Sequence, residues 1–125
     1  MPLNYCKAKV GRASAILTTG EVAGTALSLI GIRGQLVTVD FSFTIGSLTN
    51  VTVKFYGSMD GTTYDPINVY GTAMQEVLTA SAERCYIVPA LPGWKWFRVS
   101  VQGSGTATNS LCTFTYRWEK PGVYV

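Results

Sequence analysis

The sequence predicts an all-β chain, a single antiparallel β-sandwich of jelly-roll-like form with about eight to nine strands. Two observations carry this. Apolar and polar residues alternate with period 2 in one segment after another, and the segments are separated by Gly- and Pro-bearing turn signals rather than by helical stripes. Residues 1–125 read as one domain, with 1–12 as an N-terminal arm or edge strand and 120–125 as a C-terminal tail; no repeat or linker divides them.

Taken in order, residues 13–18 predict a short strand, Thr19-Gly20 a break, and 26–32 an apolar segment with partial alternation before the Arg33-Gly34 turn. Val37, Val39, Phe41, Phe43 and Ile45 then point one way and Thr38, Asp40, Ser42 and Thr44 the other, which predicts a long central strand. Residues 46–50 form a hairpin loop. The next strand places Val51, Val53, Phe55 and Met59 on one face and Thr52, Lys54, Tyr56 and Ser58 on the other, and runs into Asp60-Gly61, where Gly supplies the positive φ of a tight turn. Residues 67–70 predict a short edge strand, and 73–82 an excursion loop or strand pair, because no firm helical stripe runs through them. Strand character resumes at 84–88. After the turn at 89–93, Phe97, Val99 and Val101 oppose Trp94, Trp96 and Arg98; residues 103–106 make a flexible hairpin tip. The last strand turns Cys112, Phe114, Tyr116 and Trp118 inward and Thr113, Thr115, Arg117 and Glu119 outward.

Composition narrows the function. The chain is 47% hydrophobic but only 14% charged, against ~25% charged in ordinary soluble domains. A surface thin in charge and rich in hydroxyls is poorly protected against association, which fits either coverage by neighbouring subunits or simply a β-rich domain with many Thr and Gly in its strands and turns. The net charge of +3 is dispersed, apart from Lys7, Lys9 and Arg12, and no aromatic–basic interleaving of the kind that binds single-stranded nucleic acid is present. There is no histidine, and Cys6, Cys85 and Cys112 are far apart with no CxxC, so the usual zinc spacings are excluded and no pairing is deducible. Neither an apolar leader nor a membrane-length apolar run is found, so the expected site of synthesis is a reducing cytoplasm.

The order of pieces, from the long strand at 37–45 through Gly57-Ser58-Met59-Asp60-Gly61-Thr62-Thr63-Tyr64 to Phe97-Arg98-Val99-Ser100-Val101, resembles small β-sandwich virion proteins of tailed bacteriophages. The likeness spans roughly residues 13–119 in order of elements, with the hairpin and the Phe97-Arg98-Val99 strand as its specific parts. The resemblance implies a virion location and a structural role, as a capsid decoration or head–tail (neck or tail) accessory subunit.

An enzyme is not expected. Ser-His-Asp and Cys-His nucleophiles require the missing histidine, and the acids are distributed as turn formers and strand-face polar residues. No cofactor and no metal is expected; Asp60 and Asp65 offer too few oxygens for Ca²⁺. The expected partners are other virion proteins and further copies of the chain, with a trimer favoured. The candidate interface residues are Lys7, Lys9 and Arg12, then Trp94, Trp96 and Arg98, and Tyr124 in the tail. The rival reading is a carbohydrate-binding β-sandwich module for attachment to a host surface, in which Trp94 and Trp96, sharing one strand face, stack on sugar rings.

Overall fold

Period-2 alternation in the sequence becomes alternation of burial in the computed structural model, which describes residues 4–30, 36–69, 71–89, 94–106 and 109–121. The strands are β1 (Asn4–Ile16), β2 (Glu21–Ala23), β3 (Leu27–Ser28), β4 (Leu36–Thr44), β5 (Leu48–Ser58), β6 (Asp65–Pro66), β7 (Asn68–Val69), β8 (Thr72–Ala73), β9 (Gln75–Leu78), β10 (Ala82–Pro89), β11 (Trp96–Gly105) and β12 (Leu111–Pro121). One sheet has the order β1-β12-β4-β10. In the other, β11 and β5 are central, β2 and β3 share the far side of β11, and β6 and β9 share the far side of β5; β7 and β8 form a separate ribbon.

The chain passes between the two sheets at nearly every connection. Counting the split edge β2/β3 as one strand and setting β6 and the ribbon aside, eight principal strands remain, four to a sheet, which is the jelly-roll arrangement. The sequence expectation therefore holds for the fold class. The additional strands are two-residue pieces, too short to leave a periodic signal.

The core lies between the sheets. Val37, Val39, Phe41 and Phe43 of β4 meet Val51, Val53 and Phe55 of β5 and Phe97, Val99 and Val101 of β11. Edge-to-face ring pairs join the sheets, Tyr86 to Phe55 at 5.0 Å between centroids and Tyr116 to Phe97 at 5.5 Å. The Tyr116 hydroxyl also solves a backbone problem. Between β2 and β3 the chain leaves β11, and the Val99 N–H exposed there donates to Tyr116 Oη at 3.1 Å, which in turn donates to the Thr25 carbonyl at 2.7 Å. Burial pushes the Tyr116 phenol well above its ordinary range, and likewise raises the Cys112 thiol to about 12, so Cys112 is an inert core residue.

Several local expectations change. Residues 4–16 form one continuous strand at the sheet edge, with register shifts between Val10 and Arg12 and between Arg12 and Ala15, where the sequence predicts an arm or edge strand over 1–12 and a separate short strand over 13–18. Ile45 is only partly buried. Met59 is exposed, because Ser58 is buried in place of the next alternating residue and strand pairing ends there. The apolar stretch at 26–32 yields only β3 among its described residues, and 73–82 contributes strands β8 and β9 and the start of β10. Three of the four residues placed in the hairpin tip at 103–106 are strand instead, since β11 continues to Gly105.

Candidate interaction surfaces

The two sheets present outer faces of different chemistry. On the β2/β11/β5 side, the face is a polar and aromatic network, in which two buried atoms, Arg98 Nε and Ser100 Oγ, are left without a hydrogen-bond partner among the described residues. Lys54 Nζ lies 2.9 Å from a Glu21 carboxylate oxygen and 3.1 Å from Gln102 Oε1, and the Tyr56 hydroxyl donates to the same carboxylate at 3.1 Å. The bond to Glu21 raises the Lys54 pKa, while partial burial, aided by the Glu21 charge, raises that of Tyr56.

The turn that follows β5 folds onto this face. Asp60 accepts from the backbone N–H groups of Thr62 and Thr63, both at 2.8 Å, and these bonds to the ionised form hold its carboxyl below the usual carboxylate range. The buried Ser58 hydroxyl donates to the same carboxylate at 3.1 Å and accepts from Gly61 N at 2.9 Å, and Gly61 takes φ +79. This turn delivers Tyr64 over Arg98, whose guanidinium carbon is 3.9 Å from the ring centroid. It also seats Gly61 against the Trp96 indole, where a Cβ would approach Nε1 to 2.9 Å.

The sequence-predicted residues separate. Trp96 and Arg98 lie on this outer face, half-buried in intramolecular contacts. Trp94 does not join them. It precedes β11, and its ring packs on Gly57 from the core side, where a Cβ would come within 2.7 Å. The two tryptophans therefore do not share a face, a correction to the period-2 reading, which fails because regular strand starts only at Trp96. Lys7 and Lys9 sit on β1 opposite Trp118 and Tyr116, and Lys9 Nζ donates to the Ala26 carbonyl at 2.9 Å. Arg12 turns along its own strand and donates to the carbonyls of Ile16 at 3.1 Å and Cys112 at 3.2 Å. Tyr124 lies outside the described residues.

The outer face of the β1-β12-β4-β10 sheet was not singled out by sequence. Thr38, Asp40, Ser42 and Thr44 of β4 pair laterally with Arg117, Thr115, Thr113 and Leu111 of β12 and, for Thr38, Asp40 and Ser42, with Ile87, Cys85 and Glu83 of β10. Asp40 and Arg117 form an ion pair. Of the eight large apolar side chains that are exposed among the described residues, five (Val10, Ile16, Leu36, Ile87 and Leu111) belong to this face, so it is the apolar side of the molecule. Its centre is a shallow depression of about 480 Å³ lined by Asp40, Ser42, Glu83, Cys85, Thr113 and Thr115. Among the described residues, no group of three or more potential ligands is placed to hold a metal ion, and no helix is long and apolar enough to cross a membrane.

No family model matches the chain, and no curated protein matches it either. Solved structures do share its fold. The SPBc2 prophage-derived protein YomS is similar at a TM-score of 0.61 and 14% identity, covering 94% of this chain and 96% of its own. The Bacillus endospore appendages, a family of disulfide-linked pili, are similar at a TM-score of 0.57 and 16% identity, covering 96% of this chain and 91% of theirs. At these identities the likeness establishes a shared β-sandwich architecture over nearly the whole chain.

Proposed function

We propose that this chain is a non-enzymatic structural protein of a bacteriophage virion, a repeated accessory subunit of the capsid or the head–tail region that stabilises the particle through subunit contacts. The carrying observation is the outer face of the β1-β12-β4-β10 sheet, where hydroxyl side chains are rimmed by exposed Val10, Ile16, Leu36, Ile87 and Leu111. Burying such a face against a neighbour removes apolar area from water and strands few charges, since Asp40 and Arg117 already neutralise one another. Contacts of this kind act by mass action on the assembled state. The architecture shared with a prophage-derived protein and with a subunit of pili supports the reading, because both are consistent with a small sandwich used as an assembly unit.

The glycan-binding alternative drew on Trp94 and Trp96 as a stacking pair. With Trp94 partly buried and packed against the core and Trp96 held against Gly61, the two rings form no joint platform for a sugar ring. The test is immunogold labelling of phage particles with an antibody to this chain, beside a glycan array with the purified protein. Repeated label at one virion location and a blank array are expected. Unlabelled particles, or a glycan signal abolished by Trp96→Ala, would sink the proposal.

A further inference from the structure

An edge strand offers unpaired N–H and C=O groups to any chain that can align with it, and proteins blunt such edges with short strands, bulges or charge. Three of the four edges in this sandwich are blunted. The far side of β11 is split between a three-residue and a two-residue strand, and the far side of β5 between β6 and β9. β1 carries two register shifts, Lys7 and Lys9, and an Arg12 side chain that occupies its own Ile16 carbonyl. The fourth edge, β10, is neither short nor bulged, and its two charges, Glu83 and Arg84, are adjacent and opposite in sign. It pairs with β4 from Ala82 to Pro89 without a register shift, so ~26 Å of regular backbone is open on its other side among the described residues. Exposed Ile87 and Cys85 lie along it.

We infer that β10 is the contact by which two copies of this chain pair, antiparallel and about a two-fold axis, joining two four-stranded sheets into one eight-stranded sheet. The inference rests on reading the chain as a repeated subunit and names the surface that links its copies. One open edge per chain favours a closed pair over a growing fibre, and over the trimer expected from sequence.

Side-chain chemistry selects the register. A two-fold axis normal to the sheet keeps outer face with outer face, so Glu83, Cys85 and Ile87 can meet only one another, as can Arg84, Tyr86 and Val88. Centring on Glu83 or on Arg84 opposes like charges, which is destabilising. Centring on Tyr86 sets Arg84 against the buried Val88 and brings Pro89, which has no N–H to donate, opposite Glu83. Centring on Cys85 avoids both problems. It places Arg84 beside the partner's Tyr86 ring, Glu83 beside the partner's Ile87, and Cys85 opposite the partner's Cys85. It also continues the hydroxyl and apolar outer face across the junction, doubling the surface proposed to contact other virion subunits.

The test uses the purified full chain in reducing buffer, followed by sedimentation equilibrium. Wild type is expected as a dimer. Ile87→Glu, at an exposed position that folding does not require, sets a carboxylate against the partner's Glu83 and should weaken dimerisation at least tenfold. Adding Glu83→Lys to that variant should restore it. An added copper–phenanthroline oxidant, which accepts the two electrons released as two thiols lose their protons and join, should link Cys85 to the partner's Cys85 and leave Cys112 unmodified. A wild-type monomer at every concentration, a dimer indifferent to Ile87→Glu, or a cross-link mapped between Cys85 and Cys6 would each overturn the inference. Because the readout is the isolated protein, a missing dimer leaves the particle contact standing, and unlabelled particles leave the dimer standing.

Discussion

The two outer faces of this sandwich use their polar groups in opposite ways. On the β2/β11/β5 side, Glu21, Lys54, Tyr56, Tyr64 and Arg98 are spent on one another, and the Asp60 turn folds down to complete the set. On the β1-β12-β4-β10 side, Thr38, Ser42 and Thr44 stand in a row beside exposed apolar residues, with Asp40–Arg117 as the ion pair among them. A face whose side chains mostly pair with each other, with Arg98 Nε and Ser100 Oγ as the buried exceptions, contributes to the stability of the monomer. A face of hydroxyls and uncovered Val, Ile and Leu is better suited to a neighbour. Two of the candidate interface residues from the sequence, Trp96 and Arg98, lie on the first kind of face.

Mutations can break or sharpen this contrast. The largest effect is expected in the core that both faces share. Phe41 packs against Phe43, Tyr86 and Phe114, and Phe41→Ala should lower stability by ~3–5 kcal/mol in urea denaturation. An unchanged midpoint would remove the core assignment. Tyr116→Phe comes next. It deletes the hydroxyl that bridges Val99 N–H and the Thr25 carbonyl and leaves the Val99 N–H buried without that partner, so a loss of ~1–3 kcal/mol is expected.

On the networked face, Arg98→Ala removes a guanidinium stacked on Tyr64, and should cost ~0.5–2 kcal/mol of stability while leaving particle association intact. The hydroxyl face should respond the other way. Thr38→Lys with Ser42→Lys places two long cations on a half-exposed strand face, so stability should change by no more than ~0.5 kcal/mol while association with particles is lost. If both pairs of measurements moved together, the distinction between the faces would collapse.

The smallest effect concerns pH. Asp60 has its carboxyl pKa lowered in the folded state, so its contribution is complete above the unfolded value of about 3.9 and is lost as pH falls through the folded value. Asp60→Ala should therefore melt lower than wild type at neutral pH, with the two melting temperatures converging in acid. A constant difference at all pH values would show that the turn bonds do not depend on the charge.

Much of the fold was legible because burial on one face writes itself as period 2. The alternation from Val37 to Phe43, from Val51 to Phe55 and from Cys112 to Tyr116 is reproduced residue by residue in the burial pattern. Other parts were hidden for physical reasons. β1 carries two register shifts that scramble its phase, so its edge-strand start is legible but its continuity from Asn4 to Ile16 is not. Trp94 lies beyond the end of regular strand, where alternation no longer fixes direction. The interaction face was invisible because a threonine on a strand looks the same whether water or a subunit will cover it. Only the lateral pairing of β12, β4 and β10 assembles those side chains into one surface.

The most direct test of the central claim is a cryo-electron microscopy map of phage particles that carry this subunit, at a resolution sufficient to place the two sheets. The outer face of β1-β12-β4-β10, with Thr38, Ser42, Thr115 and Leu111, is expected to be covered by neighbouring subunits, with the Asp60 turn and Trp96 facing solvent. A map in which Trp96, Arg98 and Tyr64 are covered while the hydroxyl face stands in water would contradict the account.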